Sequence, residues 1–247
     1  MNRPGAAQPA APRPVALCAA LVVLAGLFAG LAWWQVQRLH WKEALIARVE
    51  AGRTAAPLDA ERLPPGDLAA LAYRRVRLTG RYIAAGTVLV SGASSLGSGY
   101  WVLTPLRSSG TTRYINRGFV PLGTRAARVA AQTPAGAVMV TGLLRLSEPG
   151  GGFLRANRPG EGRWYSRDVA AMARQAHLSA DPRFFVDAEA GGEQVAGGRT
   201  PAGKPHAPVP GLTVISFPNN HLGYALVWAA LALLSAGAAI MLWRRAP

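Results

Sequence analysis

One cysteine, two lysines and twelve acidic side chains among 247 residues remove several kinds of chemistry at the outset. The cysteine, Cys18, lies inside a long apolar run, so no internal disulfide can form and no thiol pair exists to bind metal or exchange electrons. The four histidines (His40, His177, His206 and His221) and the four methionines are scattered. No H-x-H, H-E-x-x-H or C-x-x-C spacing offers a zinc or copper site. No serine sits in a G-x-S-x-G elbow, and phosphate-binding glycine loops are absent. The run Pro149-Gly150-Gly151-Gly152 reads as a turn. Hydrolytic and redox catalysis lose their support, and the chain is not expected to be an enzyme.

What the chain does have is two uncharged apolar runs, Val15 to Trp34 near the start and Leu222 to Trp243 near the end. Each reaches about 30 Å as a helix, the thickness of the hydrocarbon core of a bilayer. The first is longer than the apolar core of a signal peptide, which favours an anchor over a cleaved leader. Trp33, Trp34 and Trp243 mark the run ends, where amphipathic rings favour the headgroup level.

The charged side chains of residues 1–14 and 244–247 are all basic. The positive-inside rule therefore keeps both tails cytoplasmic and sends residues 35–221 outside, with spans at 15–34 and 222–243. Tails this short hold no signalling module. Residues 35–220 contain 23 basic and all 12 acidic residues, a surplus of 11. Such a charge suits nucleic acid, but translocation removes that partner and leaves anionic headgroups or acidic proteins. The fold class expected is a multi-pass α+β membrane protein, with two transmembrane helices flanking an extracytoplasmic β-rich domain that holds one or two helices.

Within the domain, apolar spacing predicts that the first helix continues outward to Glu50, with Gly52 as a stop. Arg53 to Asp67 reads as a loop. From Tyr73 the period shortens, and Val76, Leu78 and Tyr82 alternate with Arg77 and Arg81. Further strands are expected at Thr87–Val90, Tyr100–Leu106, Arg113–Val120, Ala137–Leu144, Arg183–Ala188 and Thr213–Phe217. Their spacing predicts an antiparallel sheet or a small barrel. Ser166 is the expected N-cap of a helix reaching His177, and Ala190 to Pro210 reads as a loop.

Two histidines stand out by position. His221 opens the second span, and His40 lies less than two turns beyond the first. A neutral imidazole at the outer surface can ligate haem iron, and Arg38 or Arg117 can meet its propionates. The competing reading is that His221 closes the helix start by hydrogen bonding.

The motifs then resemble one family. Leu31-Ala32-Trp33-Trp34-Gln35-Val36-Gln37-Arg38 through Lys42 is similar to its L-G-x-W-Q-x-x-R-x-x-x-K. Gly99-Tyr100-Trp101-Val102-Leu103-Thr104-Pro105-Leu106 and Asn116-Arg117-Gly118-Phe119-Val120-Pro121 follow its next two blocks. Leu144-Arg145 with Glu148, then Asn157, Pro159 and Trp164 to Asp168 continue in order. Pro218-Asn219-Asn220-His221-Leu222-Gly223-Tyr224-Ala225 ends the series. Together they resemble the surfeit-locus assembly factors of cytochrome c oxidase. Ala32, Arg158 and Val227 depart from the pattern without touching a proposed ligand.

The resemblance implies a non-enzymatic biogenesis factor, or chaperone, of the respiratory chain. Its place would be the cell inner membrane, with the main domain periplasmic. It implies haem a as transient cofactor, with His221 as axial ligand and Arg38, Arg117 and Trp34 as weaker candidates. Implied partners are cytochrome c oxidase subunit 1 and haem a synthase, with no nucleic acid. The alternative is a haem-free scaffold that steadies an oxidase subunit.

Overall fold

The computed structural model describes residues 14–152, 154–196, 207–213 and 218–245. The chain divides into two compact units, residues 1–47 with 216–247 and residues 48–215. His206 and most of the expected strand Thr213–Phe217 lie outside the described residues.

The first unit is helical. Helix α1 runs over Val15–Thr54 and the chain's last helix over His221–Arg245, both long and apolar enough to cross a membrane. The continuation of α1 past Trp34 follows the apolar spacing. It does not stop at Gly52, because nothing there requires a left-handed residue and the last turn packs beside the backbone of Tyr73. Phe28 stacks on Trp228 at 5.6 Å, and the Cys18 thiol points to the Ala239 carbonyl at 3.8 Å.

The second unit is a seven-stranded mixed sheet. Its strands are β1 (Leu58–Asp59), β2 (Arg75–Tyr82), β3 (Val88–Ser94), β4 (Gly97–Ser108), β5 (Thr111–Pro121), β6 (Ala137–Leu146) and β9 (Ala180–Val195). A separate hairpin pairs β7 (Gly151–Gly152) with β8 (Arg155–Ala156). Short helices α2 (Ala126–Ala131) and α3 (Val169–Gln175) complete the unit, and His221–Arg245 becomes α4. The order is β1-β2-β6-β9-β5-β4-β3, and β2 also pairs with β4. That extra pairing joins five strands into a closed ring, which removes their free edges.

Several expectations are corrected. The sheet is mixed, since β1–β2 and β5–β9 are parallel. Strand β9 continues through Val195, taking in residues read as loop from Ala190, because it pairs with β6 as far as Val138. The loop after Arg53 contains β1 and a 3₁₀ turn at Ala60–Arg62. Helix α2 was not foreseen, and α3 begins at Val169 rather than after Ser166. The cap is Asp168, whose carboxylate accepts from the Ala171 N–H at 2.9 Å.

Alternation along the strands builds two large cores, with Val102, Val120 and Val129 in a small third cluster. Leu78, Leu106, Ile115, Val140, Phe184 and Val186 pack into one, with Leu68 and Leu144. Trp101, Leu103, Tyr114, Phe119 and Phe185 face the other, covered by Val169 and Met172 of α3 and by Trp164. Strands buried on both faces read as continuous apolar runs, as Phe184-Phe185-Val186 does.

Candidate functional site

His221 and Gln35 form a contact that joins the two motifs at the ends of the apolar runs. Gln35 is buried on α1, and its Oε1 lies 2.7 Å from His221 Nδ1 in the first turn of α4. An amide oxygen can only accept, so Nδ1 is the donor in this contact and, in the neutral ring, Nε2 keeps its lone pair. This is how metal-ligating imidazoles are commonly held: one nitrogen oriented by a hydrogen bond, the other free to coordinate. The same contact also satisfies the reading in which His221 merely closes the helix start.

Trp34 and Arg38 stand four residues apart, so they share a face of α1. Both are exposed, and the Arg38 guanidinium lies 4.4 Å above the ring of exposed Trp41. Arg38 follows Gln35 by three residues, one turn further along a neighbouring face. His40 is exposed, and five residues after Gln35 it points about 140° away around the helix. The structure brings His221, Gln35 and Arg38 to one stretch of the helical unit and leaves His40 apart.

Arg117 has a different setting. It is buried in the domain, and Nε and Nη2 donate to Glu193 Oε2 and Oε1 at 2.9 and 3.0 Å. Nη1 donates to Thr133 Oγ1 at 3.0 Å, and the guanidinium covers the Tyr82 ring at 4.7 Å. Burial works against its charge, but the hydrogen bonds it donates to Glu193 outweigh that and raise its pKa. Tyr82 also donates to Glu193 Oε2, and burial, then the neighbouring carboxylate, push its phenol well up. With all its donor nitrogens engaged inside the domain, Arg117 does not fit a propionate ligand without dismantling this cluster.

The other motif residues also serve the domain interior. Asn116 donates to Asp187 at 2.6 Å, and Asp187 accepts from Arg145 at 3.0 Å. Asn157 Oδ1 accepts from the N–H groups of Tyr165 and Ser166, while Ser166 Oγ donates to the Glu148 carbonyl. Arg167 pairs with Glu148 and lies over Trp101 and Phe185. Gly118 adopts φ +125°, and a Cβ there would stand 2.3 Å from the Val209 carbonyl oxygen.

Sequence reasoning missed two partners, Gln35 and Glu193. Gln35 stood inside a quoted motif, but a neutral amide carries no titration signal that singles it out. Among the described residues, no group of three or more His, Cys, Asp or Glu side chains could hold a bare metal ion.

Two membrane-length helices bracketing a ring-closed α+β domain, with an oriented imidazole at the start of the second helix, define the class. The SURF1 family model matches residues 22–233. The chain belongs to that family. It is 34% identical to Surfeit locus protein 1 of Rattus norvegicus over 82% of this chain and 67% of the relative. Surfeit locus protein 1 of Homo sapiens is also 34% identical, over 82% and 69%. A SURF1-like protein of Monosiga brevicollis is 33% identical over 87% and 83%.

Proposed function

We propose that this chain is a non-enzymatic assembly factor for cytochrome c oxidase that holds haem a through His221 and aids its insertion into the catalytic subunit. In this reading both helices span the cell inner membrane, with the tails cytoplasmic and the β domain periplasmic. Oxidase subunit 1 receives the haem, and haem a synthase is the candidate donor. The observation that carries the proposal is the His221–Gln35 hydrogen bond, which engages Nδ1 and leaves Nε2 of the neutral ring available to coordinate. Haem iron would supply the acceptor for that lone pair. Gln35 fixes the imidazole tautomer and ring direction. Arg38 offers free guanidinium donors one turn away, and Trp34 offers an apolar ring face on the same side. Arg117 is assigned to the fold.

A haem-free scaffold is favoured by a separate observation: the motif residues of the domain serve its packing and leave no open ligand set there. The two readings part in an optical spectrum of purified protein from cells that also make haem a. Wild type is expected to carry haem a, and His221→Ala to lose it while keeping its far-UV dichroism. Gln35→Leu should weaken binding about 10–100-fold, the usual cost of removing an orienting partner. A haem-free wild type, or an unaltered spectrum in His221→Ala, would overturn the carrier reading.

A further inference from the structure

The charge surplus of the domain is unevenly spent. Nine of the twelve carboxylates stand in ion pairs with arginine. Asp67 and Asp168 accept backbone N–H groups instead. All but Glu43 are thus engaged within the chain, and exposed arginines such as Arg77, Arg81, Arg107, Arg125, Arg128 and Arg174 enter none of those pairs.

Two of these are forced together. The β2–β4 contact that closes the ring consists of Arg81↔Arg107 and Tyr82↔Leu106. Directly opposed residues of an antiparallel pair share a face, with Cβ atoms about 4.5–5.5 Å apart, and like charges there repel. Both arginines are exposed. Among the described residues, the only hydrogen bond either side chain makes is a long one, from Arg81 Nη1 to the Ala135 carbonyl at 3.5 Å.

Their approach is set by neighbours rather than by attraction. A Cβ on Gly80 would lie 2.2 Å from the Arg107 carbonyl oxygen, so only glycine lets the strands come this close. The Ser108 hydroxyl donates to the Thr79 carbonyl at 2.5 Å and fixes the seam.

Along the register, Ala137 faces Arg81 from β6 and Thr112 faces Arg107 from β5, so neither directly opposed neighbour is a carboxylate. The acids lining the adjoining cleft of about 320 Å³, Asp59 and Glu61, are engaged by Arg62 and Arg113.

We propose that Arg81 and Arg107 jointly clamp a phosphate-type oxyanion at the closing seam of the ring. Each guanidinium presents a planar fork of donors. A phosphate spreads its oxygens over a tetrahedron and carries more negative charge than a carboxylate, so it can accept from two forks approaching from different sides. Bound between the two, the anion replaces a repulsion with two charge-assisted contacts. Its source is either free phosphate or the headgroup of an anionic lipid.

The test is protection from phenylglyoxal, which modifies free guanidinium groups, read residue by residue by mass spectrometry on the full chain. One arm uses phosphatidylcholine nanodiscs with inorganic phosphate or chloride at equal ionic strength, since exposed charge contacts are screened by salt. The other uses phosphatidylglycerol nanodiscs without free phosphate. Arg81 and Arg107 are expected to lose reactivity together, while Arg174 does not change. Protection in the first arm assigns free phosphate, and protection in the second alone assigns the lipid headgroup. Arg81→Gln should abolish the protection of Arg107, and Arg107→Gln that of Arg81, with the domain's melting temperature undiminished because a repulsion has been removed. Protection of neither, or of one arginine independently of the other, would overturn the clamp.

Discussion

Arg117 and His221 both belong to the family's motifs but answer to different physics. Arg117 is locked by Glu193, Thr133 and Tyr82 inside the domain. Replacing it with methionine strands the Glu193 carboxylate in a buried site, which should cost about 3–5 kcal/mol in denaturant unfolding. His221→Ala should leave that unfolding curve unchanged, because its bond to Gln35 belongs to the helical unit. Asp181 gives a pH signature. Burial pushes its pKa up, but hydrogen bonds from the Arg183 side chain and backbone outweigh this and hold it below the usual carboxylate range. A depressed folded pKa contributes stability that is complete above the unfolded value of about 4 and disappears as pH falls through the folded value. Acid titration of Asp181→Asn should therefore show a shallower loss of stability below pH ~4 than wild type.

At the scale of elements, α3 depends on Asp168, which caps its first turn and also accepts from the Gly150 N–H. Asp168→Ala should destabilise the domain by about 1 kcal/mol or more, measured by chemical denaturation. Strand β4 depends on Gly99, where a Cβ would stand 2.2 Å from the Val120 carbonyl oxygen and against the Phe119 ring. Gly99→Ala should cost about 1–3 kcal/mol, the range for forcing volume into a packed site. The strands themselves were largely legible, since alternation from Val76 to Tyr82 and the apolar runs of β4, β5 and β9 are local signals. The parallel β5–β9 pairing was not, because it joins Tyr114 to Phe185 across a separation no window spans. The α3 boundary shifted because Ser166 and Asp168 are both good caps, and Ser166 is taken by Asn157 and Glu148. At the candidate site the histidine was legible from its place beside an apolar run. Its orienting partner was not, since Gln35 lies 186 residues away.

For the whole molecule, the net charge of +15 is a surplus of exposed arginine around internally paired acids. Salt screens the exposed repulsions more than the partly buried pairs. The domain's melting temperature should therefore rise from low salt to about 0.15 M, physiological ionic strength. The rise should be smaller in an Arg81→Gln/Arg107→Gln double variant, and a fall in wild type would mean that surface pairs dominate instead. The separation into two units also explains why the family blocks divide as they do. Those between Gly99 and Asp168 maintain the domain, and those at Trp34–Arg38 and Pro218–Ala225 belong to the helices.

The position of β9 has a consequence for how the protein is made. It is the last strand among the described residues, yet it lies between β6 and β5 and supplies pairing partners to both. Until residues 180–195 emerge during synthesis, β5 and β6 each present an unpaired edge and the ring cannot form. Any polypeptide released before that point is an open, adhesive sheet, a substrate for proteases rather than a weakened version of the finished domain. Premature stop codons upstream of Ala180 should consequently behave as complete losses of protein, however much of the sheet has already been translated.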